Sequence, residues 1–184
     1  QQYHLMAHKD AIRAIHFPKN EEEFQQAGRQ IVYQEFFTYQ MRLQLLRYNR
    51  KASSKGTAIL YDVHRLKDFI QTLPFELTDG QKKVVNEIFR DLREPYEMNR
   101  LLQGDVGSGK TIVAVISLVA AILDGYQGAL MAPTEILAEQ HFQTISDLFR
   151  DTPFTVALLT GSTKTKERRL LLEQLANGEL DLVI

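Results

Sequence analysis

The chain has 184 residues, no cysteine and a formal net charge of −1. Those values exclude disulfides and thiolate metal sites, fit a reducing cytoplasm, and leave any nucleic-acid binding to local patches rather than to a global basic field. The longest apolar run, Ile112 to Leu123, is interrupted by Ser117 and is too short to span a bilayer, so no membrane partner is expected.

The N-terminus, Gln1-Gln2-Tyr3-His4, has neither the basic start nor the apolar core of a signal peptide. It also lacks an initiator Met, which suggests a fragment or a processed chain. His4 and His8 stand four apart, a spacing suited to a metal pair, but no third ligand accompanies them. Asn20-Glu21-Glu22-Glu23 has the form of a capping box, with Asn20 as N-cap and Glu23 reaching back to it. Beyond it Phe24, Ala27, Ile31, Phe37 or Thr38, Met41, Leu45 and Tyr48 recur at helical spacing. They predict one long helix to about Arg50, which should pack along a domain or bridge two. Phe24, Tyr33, Phe36, Phe37 and Tyr39 are expected to pack this helix rather than to stack on bases. Gly28 weakens it by about 1 kcal/mol relative to Ala. Lys51 to Gly56 is a polar break. Thr57 to Tyr61 carries the only strand-like pattern of the first 74 residues, and Val63 to Leu73 reads as a shorter helix ended by Pro74.

From Phe75 onward, helical and strand patterns alternate. Helices are predicted over Thr78–Arg93, Lys110–Asp124, Glu135–Arg150 and Lys164–Asn177. Strands are predicted over Leu101–Gln103, Gln127–Ala132, Thr155–Leu159 and Asp181–Ile184, with Gly125, Pro133, Pro153 and Gly178 at the joints. The alternation predicts an α/β fold with a parallel sheet flanked by helices. The expected division is a helical segment over 1–74 and an α/β lobe over 75–184. An incomplete sheet whose last strand ends the sequence would leave an open edge, and either self-association through it or fraying of that edge is expected.

Gly104-Asp105-Val106-Gly107-Ser108-Gly109-Lys110-Thr111 fits the phosphate-loop pattern of a Gly, four residues, then Gly-Lys-Thr. At average residue usage the pattern arises by chance in on the order of one chain in a hundred of this length, so it is specific. Glycines let the backbone turn sharply and approach an anion. Successive N–H groups can then line one concavity. Lys110 would reach the β- and γ-phosphates, and Thr111 would offer its hydroxyl to Mg²⁺. The loop falls between a predicted strand and a predicted helix, outside the carboxyl end of the strand, where ligands of such sheets bind.

Thr78-Asp79-Gly80-Gln81 fits two roles. One is a capping box, with Thr78 as N-cap and Gln81 closing it. The other is an adenine reader, because a Gln amide offers a donor and an acceptor to the N6 and N7 edge. Both can hold if geometry allows. Ala132-Pro133-Thr134-Glu135 opens a helix after a strand, and Thr160-Gly161-Ser162-Thr163 repeats that design. Each suits either a simple helix cap or a grip on a nucleic-acid phosphate. Lys164, Lys166, Arg168 and Arg169 add positive charge nearby, as a solvated helix face also would.

Met98 to Thr111, followed by Ala132 to His141, closely resembles the RecG family of bacterial superfamily 2 DNA helicases. Phe75-Glu76-Leu77-Thr78 with Gln81, Leu159-Thr160-Gly161-Ser162, Ile15-His16-Phe17-Pro18 and Glu35-Phe36-Phe37 extend the likeness. The transcription-repair coupling factor shares the Gly-Asp-Val-Gly loop. It usually has Phe where Ser108 stands and lacks the Thr134-Glu135-Ile136 run. The resemblance implies a RecA-like P-loop lobe from a motor that hydrolyses ATP with Mg²⁺. That motor would translocate on branched duplex DNA, driving fork reversal and Holliday junction branch migration in recombination and repair. By the same resemblance Gln81 would recognise adenine, and Gly107 to Gly109 would wrap the phosphates beside Lys110 and Thr111, within a nucleotide-binding stretch that runs from Gly104 through Asp105, Val106 and Ser108 to Thr111. Pro133, Thr134, Glu135, Thr160, Gly161 and Ser162 would line the DNA path. The family's Asp-Glu-x-His segment, second lobe and wedge domain are not within the sequence, so no appreciable hydrolysis is expected from it alone. Two other function classes are a small-molecule kinase, whose acceptor site and lid are not visible, and a nucleotide-dependent interaction module docking through residues 1–74.

Overall fold

The computed structural model describes residues 5–53 and 56–184. The chain divides into two compact units, 1–54 and 55–184.

The first unit is a helical pair, α1 (His8–His16) and α2 (Glu21–Ser53). Ala11 and Ala14 of α1 and Ala27 of α2 are buried together, flanked by Met6, Ile15 and Ile31. Residues this small let two helix backbones approach closely. Asn20 caps α2 as expected, its Oδ1 accepting the Glu23 N–H at 2.8 Å. The Glu23 carboxylate, however, reaches past Asn20 and accepts from the Lys19 N–H at 2.6 Å. The aromatic residues depart from expectation. Phe36, Phe37 and Tyr39 are exposed, and so are Phe24 and Tyr33 to a lesser degree. Tyr33 and Phe37 stack on each other, with ring centroids 6.1 Å apart. Within this unit α1 is too short to cover more than the first turns of α2.

The second unit holds α3 (Val63–Gln71), α4 (Asp79–Leu92), α5 (Lys110–Leu123), β1 (Gly128–Ala129), α6 (Glu135–Phe149), β2 (Val156–Ala157), α7 (Thr165–Asn177) and β3 (Leu182–Val183). It opens earlier than the sequence-based division at 74/75. Residues 56–62 run extended along the far ends of α4 and α5, without forming the predicted strand. Gly56 N–H donates to Pro95 O (3.1 Å), Ile59 N–H to Leu92 O (2.7 Å) and Leu60 N–H to the Asp124 carboxylate (2.8 Å). Ile59, Tyr61, Leu66 and Phe69 then join the same core as α5.

That core is built around α5. Val115, Ile116, Val119 and Ala120 are completely buried. Full burial of each larger aliphatic side chain stabilises by about 1.5–3 kcal/mol. Phe69, Phe149 and Phe154 add an edge-to-face cluster with centroids 5.3 to 6.1 Å apart.

The sheet is parallel with order β1-β3-β2. The last strand is therefore central, contrary to the open edge expected of it. Gly128 N–H donates to Asp181 O and Leu130 N–H to Val183 O on one side. Leu182 N–H donates to Thr155 O and Ile184 N–H to Ala157 O on the other. The exposed edges belong to β1 and β2 instead. The predicted strand at Leu101–Gln103 is not formed, with Leu101 84% exposed. A strand exists only through a neighbour that completes its ladder, and the strands β1, β3 and β2 pair among themselves.

Three glycine and cap positions make this packing testable. A Cβ on Gly56 would fall 2.3 Å from the Tyr96 carbonyl carbon. Gly56→Ala is expected to cost about 1–3 kcal/mol in denaturant unfolding. A Cβ on Gly28 would meet only Ile15 Cδ1, at 3.9 Å. Gly28→Ala should therefore stabilise α2 by about 0.5–1 kcal/mol. Asp62 caps α3, and the N–H groups of Arg65 and His64 hold its carboxyl below the ordinary carboxylate range. A depressed folded value gives stability that is present above the unfolded value and lost as pH falls through the folded one. Acid titration of unfolding should show that loss in the wild type and not in Asp62→Asn, which keeps an acceptor but does not titrate.

Candidate functional site

Residues 104–109 lead into α5, whose N-cap is Gly109 at φ +78°. Gly107 also lies in the left-handed region, at φ +79°. Ser108 N–H donates to Asp105 O at 3.2 Å, closing the turn. Cβ atoms would fill the cradle: at Gly104 one would lie 2.7 Å from Ser108 Oγ, and at Gly109 one would lie 2.3 Å from Gln81 Nε2. Lys110 folds over the loop, its Nζ donating to Gly104 O (2.8 Å) and Asp105 O (2.7 Å). The first-turn N–H groups of α5, which have no partner within the helix, open on this loop, where the helix dipole favours an anion. Thr111, second in the helix, is half-buried. Val106 at the loop tip is fully exposed.

Gln81 ties this loop to α4. Its N–H donates to Thr78 Oγ1 (3.2 Å) and its Oε1 accepts from Thr78 N–H (2.9 Å), so the capping box forms. Its Nε2 meanwhile donates to Ser108 O at 3.0 Å. Both ends of the amide are engaged, and reading an adenine edge would require it to exchange these partners. Thr78, Gln81, Val84, Gly104, Ser108 and Lys110 line a cavity of about 250 Å³. A larger cavity of about 1140 Å³ lies between α3 and α4, lined by Leu66, Ile70, Phe75 and Phe89 among others. It contains no phosphate-loop residue, so the chemistry, rather than the volume, locates the site.

Sequence reasoning missed Arg100. Its guanidinium bonds Asp91 and, at 2.9 Å, Glu87, one turn apart on α4. The Asp91 hydrogen bond, then that of Glu87, raises its pKa above the usual arginine value. This clamp pins the segment entering the phosphate loop to α4. The i, i+4 carboxylates were visible in the sequence, but nothing local pointed Arg100 at them.

A second locus lies at the carboxyl ends of β1 and β2. Thr134 caps α6, accepting from Leu137 N–H at 3.3 Å. In the next loop Thr160 N–H donates to Thr163 Oγ1 (2.9 Å), and the Thr160 and Ser162 hydroxyls are 2.8 Å apart. Glu135 Oε1 crosses between the loops to accept from Ser162 N–H at 2.9 Å. Pro133, Thr134, Glu135, Thr160, Gly161 and Arg168 line a shared cavity of about 440 Å³. Arg168 donates to Thr160 O at 3.4 Å, whereas Arg169 pairs with Glu173 and faces elsewhere. His4 lies outside the described residues. Among the described residues no group of three or more His, Asp or Glu is placed to hold a metal.

A family profile described as DEAD/DEAH box helicase matches residues 78–184. The chain belongs to that helicase family. It is 52% identical over 184 residues to an "ATP-dependent DNA helicase RecG" of Staphylococcus epidermidis and 50% identical to one of Staphylococcus aureus. It is 49% identical over 182 residues to one of Bacillus subtilis. Each alignment covers all or nearly all of this chain and 27% of the relative. The structure of "RecG bound to three-way DNA junction" superposes with a TM-score of 0.86 at 38% identity, covering 100% of this chain and 25% of that one. The chain thus spans about a quarter of the length of these relatives. Its α/β unit has the fold of a RecA-like helicase lobe.

In this helicase lobe the contact between Gly109 and Gln81 should be measurable. Gly109→Ala forces a Cβ into left-handed backbone, costing about 1–2 kcal/mol, and drives the Gln81 amide off Ser108. Gln81→Ala should then cost less in the Gly109→Ala background than alone, a non-additivity read by a double-mutant cycle of unfolding free energies.

Proposed function

We propose that this chain is the nucleotide-binding part of an ATP-driven DNA-remodelling motor acting in the cytoplasm on branched duplex DNA. The observation that carries the proposal is the Lys110 ammonium held inside a glycine cradle at the α5 N-terminus, bridged to α4 by Gln81. In this reading the first-turn N–H groups of α5 bind the phosphates, and Lys110 exchanges its two carbonyls for phosphate oxygens. Thr111 would offer its hydroxyl to an Mg²⁺ accompanying the nucleotide. Bound nucleotide supplies a phosphoanhydride whose hydrolysis drives movement. Gln81 leaves Ser108 to read the base edge, so occupancy of the base site is felt by the loop. Pro133-Thr134-Glu135 and Thr160-Gly161-Ser162 line the cleft for the DNA backbone, where the threonine and serine hydroxyls position a phosphate without reading sequence. The helical unit serves as a linker to the rest of the motor, and residues 75–184 as part of its first lobe. The similarity to a structure solved with a three-way DNA junction supports branched DNA as the substrate.

ATP hydrolysis by the intact protein, with and without branched DNA, tests the proposal. DNA should stimulate turnover, and Lys110→Ala should lower it at least about a hundredfold, the scale of losing one preorganised donor to a reacting anion. Turnover that is indifferent to both Lys110 and DNA would contradict it.

A further inference from the structure

Glu135 sits at the start of α6, in the wall of the cleft that the preceding proposal assigns to DNA. A carboxylate there is out of place as a contact, because it repels a phosphodiester. Its geometry points to another use. Oε1 accepts from Ser162 N–H at 2.9 Å, across 27 residues of sequence. Gly161 leaves the space for it, since a Cβ at that position would lie 3.0 Å from the same oxygen. On the far side of the loop Arg168 approaches Thr160 O. Held between these two groups, Thr160 and Ser162 bring their hydroxyls to 2.8 Å of each other at the rim. A hydrogen bond with an ionised acceptor is about twice as strong as a neutral one, which suits a strut between two otherwise separate loops.

We propose that Glu135 is a positioning residue that locks the Thr160–Thr163 loop in the conformation that grips a DNA phosphate, and is not itself a DNA contact. The inference rests on the reading of this cleft as the DNA face. Its consequences separate the acceptor from the charge. Glu135→Gln keeps a carbonyl oxygen for Ser162 N–H and removes the negative charge. Glu135→Ala removes both.

The test uses the intact protein with two readouts. The first is amide hydrogen exchange at Ser162 without DNA. Exchange should rise about fivefold to tenfold in Glu135→Ala, and stay within about threefold of wild type in Glu135→Gln. The second is affinity for a branched duplex. It should fall several-fold in Glu135→Ala with an unchanged salt slope, because no phosphate-neutralising cation is lost, and Glu135→Gln should match or exceed wild type. Unaltered Ser162 exchange in Glu135→Ala, or exchange that rises while DNA affinity holds, overturns the proposal. So does a Glu135→Gln variant as impaired as Glu135→Ala. Failure of the wild type to bind DNA would overturn the proposed function, and with it the DNA role of Glu135, while the exchange data would still show whether Glu135 holds the loop.

Discussion

The candidate site depends on the burial of α5. Val115, Ile116, Val119 and Ala120 are excluded from water on every side, so the helix has one place to lie and one direction to point. Lys110 and Thr111 are its first two residues. Fixing the helix in the core therefore fixes the origin of the phosphate loop, the orientation of its dipole and the free N–H groups of its first turn. The glycines around Lys110 allow the left-handed turn and the close approach that a Cβ would block. They sit on a helix end that packing has already placed.

Around this fixed point the loop is held by exchangeable bonds. Gln81 reaches Ser108, Lys110 reaches Gly104 and Asp105, and Arg100 holds the entering segment against α4. All are polar contacts near solvent, so each contributes modestly to stability. Bonds of this strength suit groups that, in the proposed function, change partners when a phosphate enters. The second locus follows the same logic, with a short loop pinned from two sides by Glu135 and Arg168. Rigid helices and strands supply position, and replaceable hydrogen bonds supply responsiveness.

Much of this was legible in the sequence because it is local. The phosphate loop, the capping box at Thr78 and Gln81, the cap at Thr134 and the alternation of helices with strands all depend on residues a few positions apart. What was not legible depends on distant partners. Leu101–Gln103 has a strand composition and no neighbour to complete a ladder. The position of the last strand inside the sheet, with β1 on one side and β2 on the other, is a matter of topology and not of its own residues. The aromatic residues of α2 look like core in a helical projection, yet α1 covers only Ala27 and its surroundings. Likewise residues 56–62 look like part of the helical region, and only their bonds to Leu92, Pro95 and Asp124 place them in the α/β unit. For Gln81 the sequence allowed two roles, and the geometry shows the capping box together with a bridge to the phosphate loop. Arg100 and the crossing by Glu135 were invisible for the same reason as the sheet order.

The central claim is that the glycine cradle ahead of α5, and not the larger cavity between α3 and α4, receives the nucleotide. Peptide-resolved hydrogen exchange of the intact protein, with and without a non-hydrolysable ATP analogue and Mg²⁺, measures this directly. Protection should appear over residues 104–111 and at the start of α4 around Gln81, with α3 unchanged. Protection confined to α3 and the face of α4 that it opposes, or no protection at the loop under saturating analogue, would contradict the account.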